Sequence, residues 1–247
     1  MFSWNSFLES LPNKILGVLN VTDDSFTGDG ILGKINTVHQ IYESAEKKDI
    51  KFLDIGCMST KPNFSPISTK EEIFRLNSFL EIKNENFNYS IDSFNPVVAK
   101  KALENGFSVV NDISGATNSE MLRTVKNYSA GLIIVHRNPN SSFIHDKVEY
   151  KNIINDVKND LRQQIKDVLA SGVRKEKIAI DLGLGFGKTM EQSAILLESV
   201  GQFVFEYPLV VGYSKKKFTK LLKVSDDELL NHCQKEGVSL VRLHVID

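Results

Sequence analysis

Eight short apolar runs pace this chain, at residues 15–19, 51–55, 89–91, 108–110, 131–135, 177–180, 208–211 and 238–243. Between them lie segments of helical period. Ile35, Val38, Ile41, Tyr42 and Ala45 share one face; Ile73, Leu76, Phe79 and Leu80 share another; Ile153, Ile154, Val157, Leu161, Ile165 and Val168 form a long third stripe. Helix starts are marked. Ser68 and Ser225 open capping-box patterns closed by Glu71 and Glu228, and Asn95-Pro96 puts proline at a first helical position. Strands alternating with helices imply parallel pairing. Eight such repeats in 247 residues predict a single-domain α/β (β/α)8 TIM barrel, a fold of about 250 residues. An open doubly wound sheet fits less well, because no GxGxxG follows the first run.

The ends of the runs carry the chemistry. The first empties into Asn20-Val21-Thr22-Asp23-Asp24-Ser25-Phe26. The others end in Asp54-Ile55-Gly56, Asp92-Ser93, Asn111-Asp112, His136, Asp181, Gly212 and Arg242/His244. Polar residues at the C-terminal ends of barrel strands read as active site, since those ends converge on one face. Arg242 and His244 alternate with Leu243, so both side chains leave the last strand on the same side. An isolated inward aspartate would be read as a helix cap or a solvated loop. Asp92, Asn111, Asp181 and Lys216 on four strand ends instead make a set of complementary donors and acceptors. Residues 181–189, DLGLGFGKT, lack the GxxxxGK[ST] spacing of a phosphate loop. They read as a strand-end loop whose glycines allow close approach of a ligand.

Composition narrows the function classes. Net charge is −1, with 30 basic and 31 acidic residues, so nothing draws the chain to nucleic acid or an anionic membrane. Cys57 and Cys233 are too few for a disulfide framework and lack metal-ligand spacing. Residues 1–13 are too polar for a signal peptide, no run approaches a membrane span, and a cytoplasmic location is the default expectation. Yet residues 1–11 hold Phe2, Trp4, Phe7, Leu8 and Leu11, a stripe at helical spacing. That stripe predicts packing against the barrel, across its N-terminal face or beside its last strand.

Taken together, the motifs resemble the dihydropteroate synthase family. The resemblance runs through Leu16-Gly17-Val18-Leu19-Asn20-Val21-Thr22-x-Asp24-Ser25-Phe26, Asp54-Ile55-Gly56-x-x-Ser59-Thr60-Lys61-Pro62, Ser90-Ile91-Asp92-Ser93 and Val110-Asn111-Asp112-Ile113. It continues through Val135-His136, Asp181-x-Gly183-x-Gly185-Phe186-x-Lys188-Thr189, Gly212-x-Ser214-Lys215-Lys216-x-Phe218 and Val241-Arg242-x-His244. It implies a transferase that joins 6-hydroxymethyl-7,8-dihydropterin pyrophosphate to 4-aminobenzoate in folate synthesis, releasing pyrophosphate. On that resemblance Asp92, Asn111, Asp181 and Lys216 hold the pterin beside Gly212, and Phe186 lies near the aminobenzoate ring. Asn20 contacts Mg²⁺, and Arg242, His244, Ser59, Thr60 and Lys61 serve the pyrophosphate side. Asn20, Lys216, Arg242 and His244 are then the catalytic set.

The chain departs from the family pattern where the loops are concerned. Asp23, Gly28, Cys57, Met58, Lys61, Asn63, Val135, Leu182, Lys215 and Lys217 all differ from the usual residue. A second reading follows from those departures: a non-catalytic or diverged pterin-binding paralogue that keeps the pocket and not the loops. A corrinoid-linked methyl-tetrahydrofolate transferase shares the barrel, but Ser214-Lys215-Lys216 and Arg242-x-His244 favour the synthase. The resemblance also implies a homodimer made through the last two helices. Against it stand a seventh helix confined to residues 225–236 and a sequence that reaches Asp247 directly after the eighth run, leaving no last helix.

Overall fold

The computed structural model describes residues 2–21, 30–58, 67–141, 146 and 148–246, with residues 30–35 described by their backbone alone. The eight expected strands form: β1 Ile15–Asn20, β2 Phe52–Gly56, β3 Asn88–Asp92, β4 Val109–Asp112, β5 Gly131–Val135, β6 Ile178–Asp181, β7 Leu209–Gly212 and β8 Leu240–His244. All pair in parallel, each with its sequence neighbours, and β1 pairs with β8 to close the barrel. After a first helix, α1 Trp4–Ser10, the connections carry α2 Gly30–Lys47, α3 Thr69–Leu80, α4 Pro96–Glu104, α5 Ser119–Tyr128, α6 Ile153–Ala170, α7 Met190–Glu198, α8 Thr219–Leu222 and α9 Asp226–Lys235.

Local chemistry sets the helix starts. Ser225 and Glu228 close a full capping box on α9. Asn95 caps α4, with Pro96 in the first turn. Ser68 caps α3 by accepting from the Glu71 N–H, but the Glu71 carboxylate turns to Arg75 Nε at 2.9 Å. The second half of that box is therefore traded for a pair one helical turn on.

Two apolar cores result. The larger lies between sheet and helices and takes the predicted stripes, including Val38, Ile41, Tyr42, Leu76, Phe79, Val157, Leu161, Ile165 and Val168. The smaller fills the barrel itself, with Leu16, Phe52, Val109, Ile133, Ala179, Val210 and Leu240 from alternate strand positions. Its lower end is closed by α1 and the residues around it. Trp4 is 1 % exposed, and its Nε1 donates to the Lys177 carbonyl at 2.8 Å. Phe2, Trp4, Phe7 and Phe52 stack edgewise or tilted in sequence, with centroids 5.3, 5.9 and 4.8 Å apart for Phe2–Trp4, Trp4–Phe7 and Phe7–Phe52. Lys177 ties the segment down further, donating to the carbonyls of Ser129 and Phe2.

Candidate active site

Strand register assembles the site. Asn20, Gly56, Asp92 and Asn111 are paired across β1–β4 and sit in one row. Gly56 is the small member for a reason: a Cβ there would lie 2.8 Å from Asn20 Oδ1 and 4.0 Å from Asp92 Oδ2. Glycine lets the Asn20 amide and the Asp92 carboxylate share that space. On β8, the Arg242 guanidinium bridges two carboxylates. Its Nε donates to Asp54 Oδ2 and its Nη2 to Asp92 Oδ2, both at 2.6 Å. Sequence reasoning sends this planar fork to phosphate oxygens; the structure shows it first holding the barrel's own acids.

Asp92 is buried, and burial raises its pKa while Arg242 opposes the rise. Its Oδ1 and the Oδ1 of Asn111 are buried with no hydrogen-bond partner among the described residues. Such orphans are uncommon in folded proteins and mark a place where a partner belongs. Asp181, at the end of β6, accepts from the Gly183 N–H through Oδ1 at 2.7 Å. Burial raises its pKa too, opposed first by the charge of Lys216. Lys216 follows β7 in a turn and donates to the Leu184 carbonyl at 2.6 Å, with its ammonium 5.3 Å from the Phe186 ring centre. Burial lowers its pKa to about 8, against the pull of Asp181.

The 183–188 loop is held from below. Lys188 Nζ donates to the carbonyls of Gly183 at 2.9 Å and Phe186 at 3.1 Å, and lies 2.9 Å from His136 Nδ1. His136 Nε2 in turn meets Asp160 Oδ2 at 3.2 Å. Burial, then the charge of Lys188, holds the His136 pKa well below its ordinary value. A neutral ring accepting at Nδ1 and donating from Nε2 satisfies both neighbours. Gly183 adopts φ +61°, and a Cβ there would run into the His136 carbonyl, so only glycine serves. Lys188 thus anchors the loop through its carbonyls, consistent with the absence of phosphate-loop spacing.

Of the sequence-predicted residues, Asn20, Asp92, Asn111, Asp181, Gly212, Lys216, Phe186 and Arg242 gather at the C-terminal mouth of the barrel. His244 is on β8 as expected, with Nδ1 3.2 Å from Ser214 Oγ. Ser59, Thr60 and Lys61 lie outside the described residues, as do Asp23 and Gly28. Sequence reasoning quotes Asp54, Ser90, His136, Lys188 and Ser214 in its strand ends and motifs but gives them no role, and it leaves out Asp160. Asp54 left a signal: it alternates with Phe52 and Gly56, so it shares their inward face.

The family model for pterin binding enzymes matches residues 16–244. The chain belongs to the pterin-binding enzymes, in their dihydropteroate synthase branch. Among relatives of this branch, the Clostridium beijerinckii dihydropteroate synthase is 31 % identical over 211 residues, covering 84 % of this chain and 76 % of its own. The Haemophilus influenzae enzyme is 27 % identical over 99 % of this chain and 93 % of its own. Solved structures agree. The dihydropteroate synthase of Anaplasma phagocytophilum with bound 6-hydroxymethylpterin-monophosphate superposes with a TM-score of 0.78 at 29 % identity, covering 94 % of this chain and 93 % of that one. The Clostridium difficile synthase in the presence of pteroic acid gives 0.80 at 29 % identity, over 94 % and 90 % of the two chains. No helix among the described residues of this pterin-binding enzyme is long and apolar enough to cross a membrane.

Proposed function

We propose that this chain condenses 6-hydroxymethyl-7,8-dihydropterin pyrophosphate with 4-aminobenzoate to give 7,8-dihydropteroate and pyrophosphate. The observation that carries the reading is a pair of buried acceptors without partners among the described residues, Asp92 Oδ1 and Asn111 Oδ1, beside the Asp181 carboxylate and the Lys216 ammonium. A pterin's amino-pyrimidinone edge offers N–H groups to the acceptors and a carbonyl to the lysine. A heterocycle lacking those groups leaves the buried partners unpaired and is rejected strongly.

The reaction asks little covalent help of the protein. The C–O bond between the pterin methylene and the pyrophosphate breaks, and pyrophosphate leaves with the electron pair. The aminobenzoate amine then donates its lone pair to the methylene carbon and loses a proton. Arg242 and His244, which share one side of β8, would meet the leaving charge, while Lys216 and the Phe186 ring would bound the approach of the amine. Most of the rate enhancement then comes from electrostatic stabilisation and positioning. Ser59, Thr60 and Lys61 are assigned to the same phosphate side on their motif alone.

Mg²⁺ fits this site as a companion of the pyrophosphate. Among the described residues no group of three His, Cys, Asp or Glu side chains could hold a metal unaided. The Asn20 amide oxygen, given room by Gly56, is the kind of single hard donor that suits an ion bound mainly by phosphate and water. When bound, the ion would neutralise charge on the leaving pyrophosphate. Every side chain named comes from one chain, so the reading requires no second copy.

Pyrophosphate release decides between this reading and a non-catalytic pterin binder. Release that depends on the dihydropterin substrate and falls on adding chelator supports it. Tight pterin binding with no release under any condition would establish the paralogue instead.

A further inference from the structure

Asn111 is a pocket residue whose polarity is not set by its own chemistry. A carboxamide can turn either its oxygen or its NH₂ toward a ligand. Asp54 settles the choice. It is completely buried, on the inward face of β2. Its Oδ1 accepts from Ser90 Oγ at 2.6 Å. Its Oδ2 accepts from Asn111 Nδ2 at 2.9 Å and from Arg242 Nε at 2.6 Å. An arginine and a hydroxyl both donate to Asp54, so its two oxygens are taken up as acceptors. Turning the Asn111 amide over would set its oxygen against that carboxylate and lose the bond. The Asn111 oxygen is therefore fixed facing away from Asp54, where it is buried and has no partner among the described residues.

We propose that Asp54 is a specificity-determining positioning residue, which locks the Asn111 amide so that the pocket demands an N–H donor from its ligand at that place. The proposal rests on the pterin reading above. It explains why a buried acid stands in the middle of an apolar strand. The acid touches no ligand itself; it sets which end of Asn111 a ligand meets.

The test is a binding panel on the intact chain with three probes: 6-hydroxymethyl-7,8-dihydropterin, its fully oxidised form, and its 2-oxo analogue. The oxidised form replaces a ring N–H by an acceptor nitrogen. The 2-oxo analogue replaces the amino group by a carbonyl. The parent should disfavour at least one of the two swaps by about tenfold or more, because a fixed acceptor then faces an acceptor. Asp54→Asn frees the Asn111 amide to turn, so the disfavoured ratio should collapse toward unity, while Ser90→Ala, which leaves the Asn111 bond in place, should keep it. Equal binding of all three probes by the parent overturns the proposal without any variant. So does a ratio unchanged in folded Asp54→Asn. Failure of the parent to bind the dihydropterin at all would instead overturn the pterin reading.

Discussion

The two ends of this barrel are built from the same strands and obey opposite rules. At the floor, the buried Trp4 indole and the Lys177 ammonium both find partners. Trp4 Nε1 finds the Lys177 carbonyl, the Lys177 ammonium finds Ser129 and Phe2, and aromatic rings fill the remaining space. At the mouth, Asp92 and Asn111 each keep a buried oxygen without a partner among the described residues, and three acids crowd around Arg242 and Lys216. The lesson lies in where polarity is left unmatched. On the function proposed above, the residual acceptors at the mouth receive the ligand. Stability and recognition are thereby separated along the strand direction.

Substitutions at the two ends should therefore fail differently, and the largest effect belongs to the floor. Trp4→Ala removes a buried ring and orphans the Lys177 carbonyl. It should lower unfolding free energy by about 3–5 kcal/mol, read by urea titration, while pterin affinity per folded molecule stays put. Stability within about 1 kcal/mol of the parent would show that the floor is ornamental. At the mouth, Asp181→Asn keeps shape and the bond from Gly183 but removes the charge. Pterin affinity should fall by about 1.5–3 kcal/mol in calorimetry, the range for hydrogen bonds to charged groups, with the melting temperature little changed. Undiminished affinity would remove Asp181 from the pocket.

The smallest effect is a pH dependence, and it sharpens the contrast within one residue. Burial lowers the Lys216 pKa to about 8. A base depressed in the folded state adds stability above its unfolded value of about 10.4, and that stability is lost as pH falls through 8, where a buried amine takes up charge. Ligand binding runs the other way: the charged amine is the donor, so pterin affinity should weaken as pH rises through 8. Lys216→Arg should flatten the affinity profile. A parent profile that is flat from pH 7 to well above 8 would mean Lys216 does not donate to the ligand.

How far these ends could be read from sequence depends on how local their causes are. The strands were legible because each is a self-contained apolar run, and the helices because Val157, Leu161, Ile165 and Val168 repeat at one period on a single face. The N-terminal stripe was legible for the same reason, and Trp4 does pack under the barrel. Asp92, Asn111, Asp181 and Lys216 stood out because they break or follow apolar runs. Asp54 was obscured: it lies inside its run, and its partners Ser90, Asn111 and Arg242 are 36, 57 and 188 residues away. The Lys188–His136–Asp160 chain was hidden likewise, since three elements meet there and no spacing records it. Nor does sequence say that Arg242 would first serve two acids, because that follows from barrel closure between β8 and β1.

The closed floor also dictates an order of events. With α1 sealing one end, the barrel is a cul-de-sac entered from the mouth. The acceptors Asp92 and Asn111 are on the strands themselves, whereas Phe186 and Lys216 stand on the loops beyond them. On the proposed reaction, the partner seated on the strands would enter before the one that meets the outer loops. The joined product would leave by the same mouth, so the depth of a plugged barrel would set the order of its traffic.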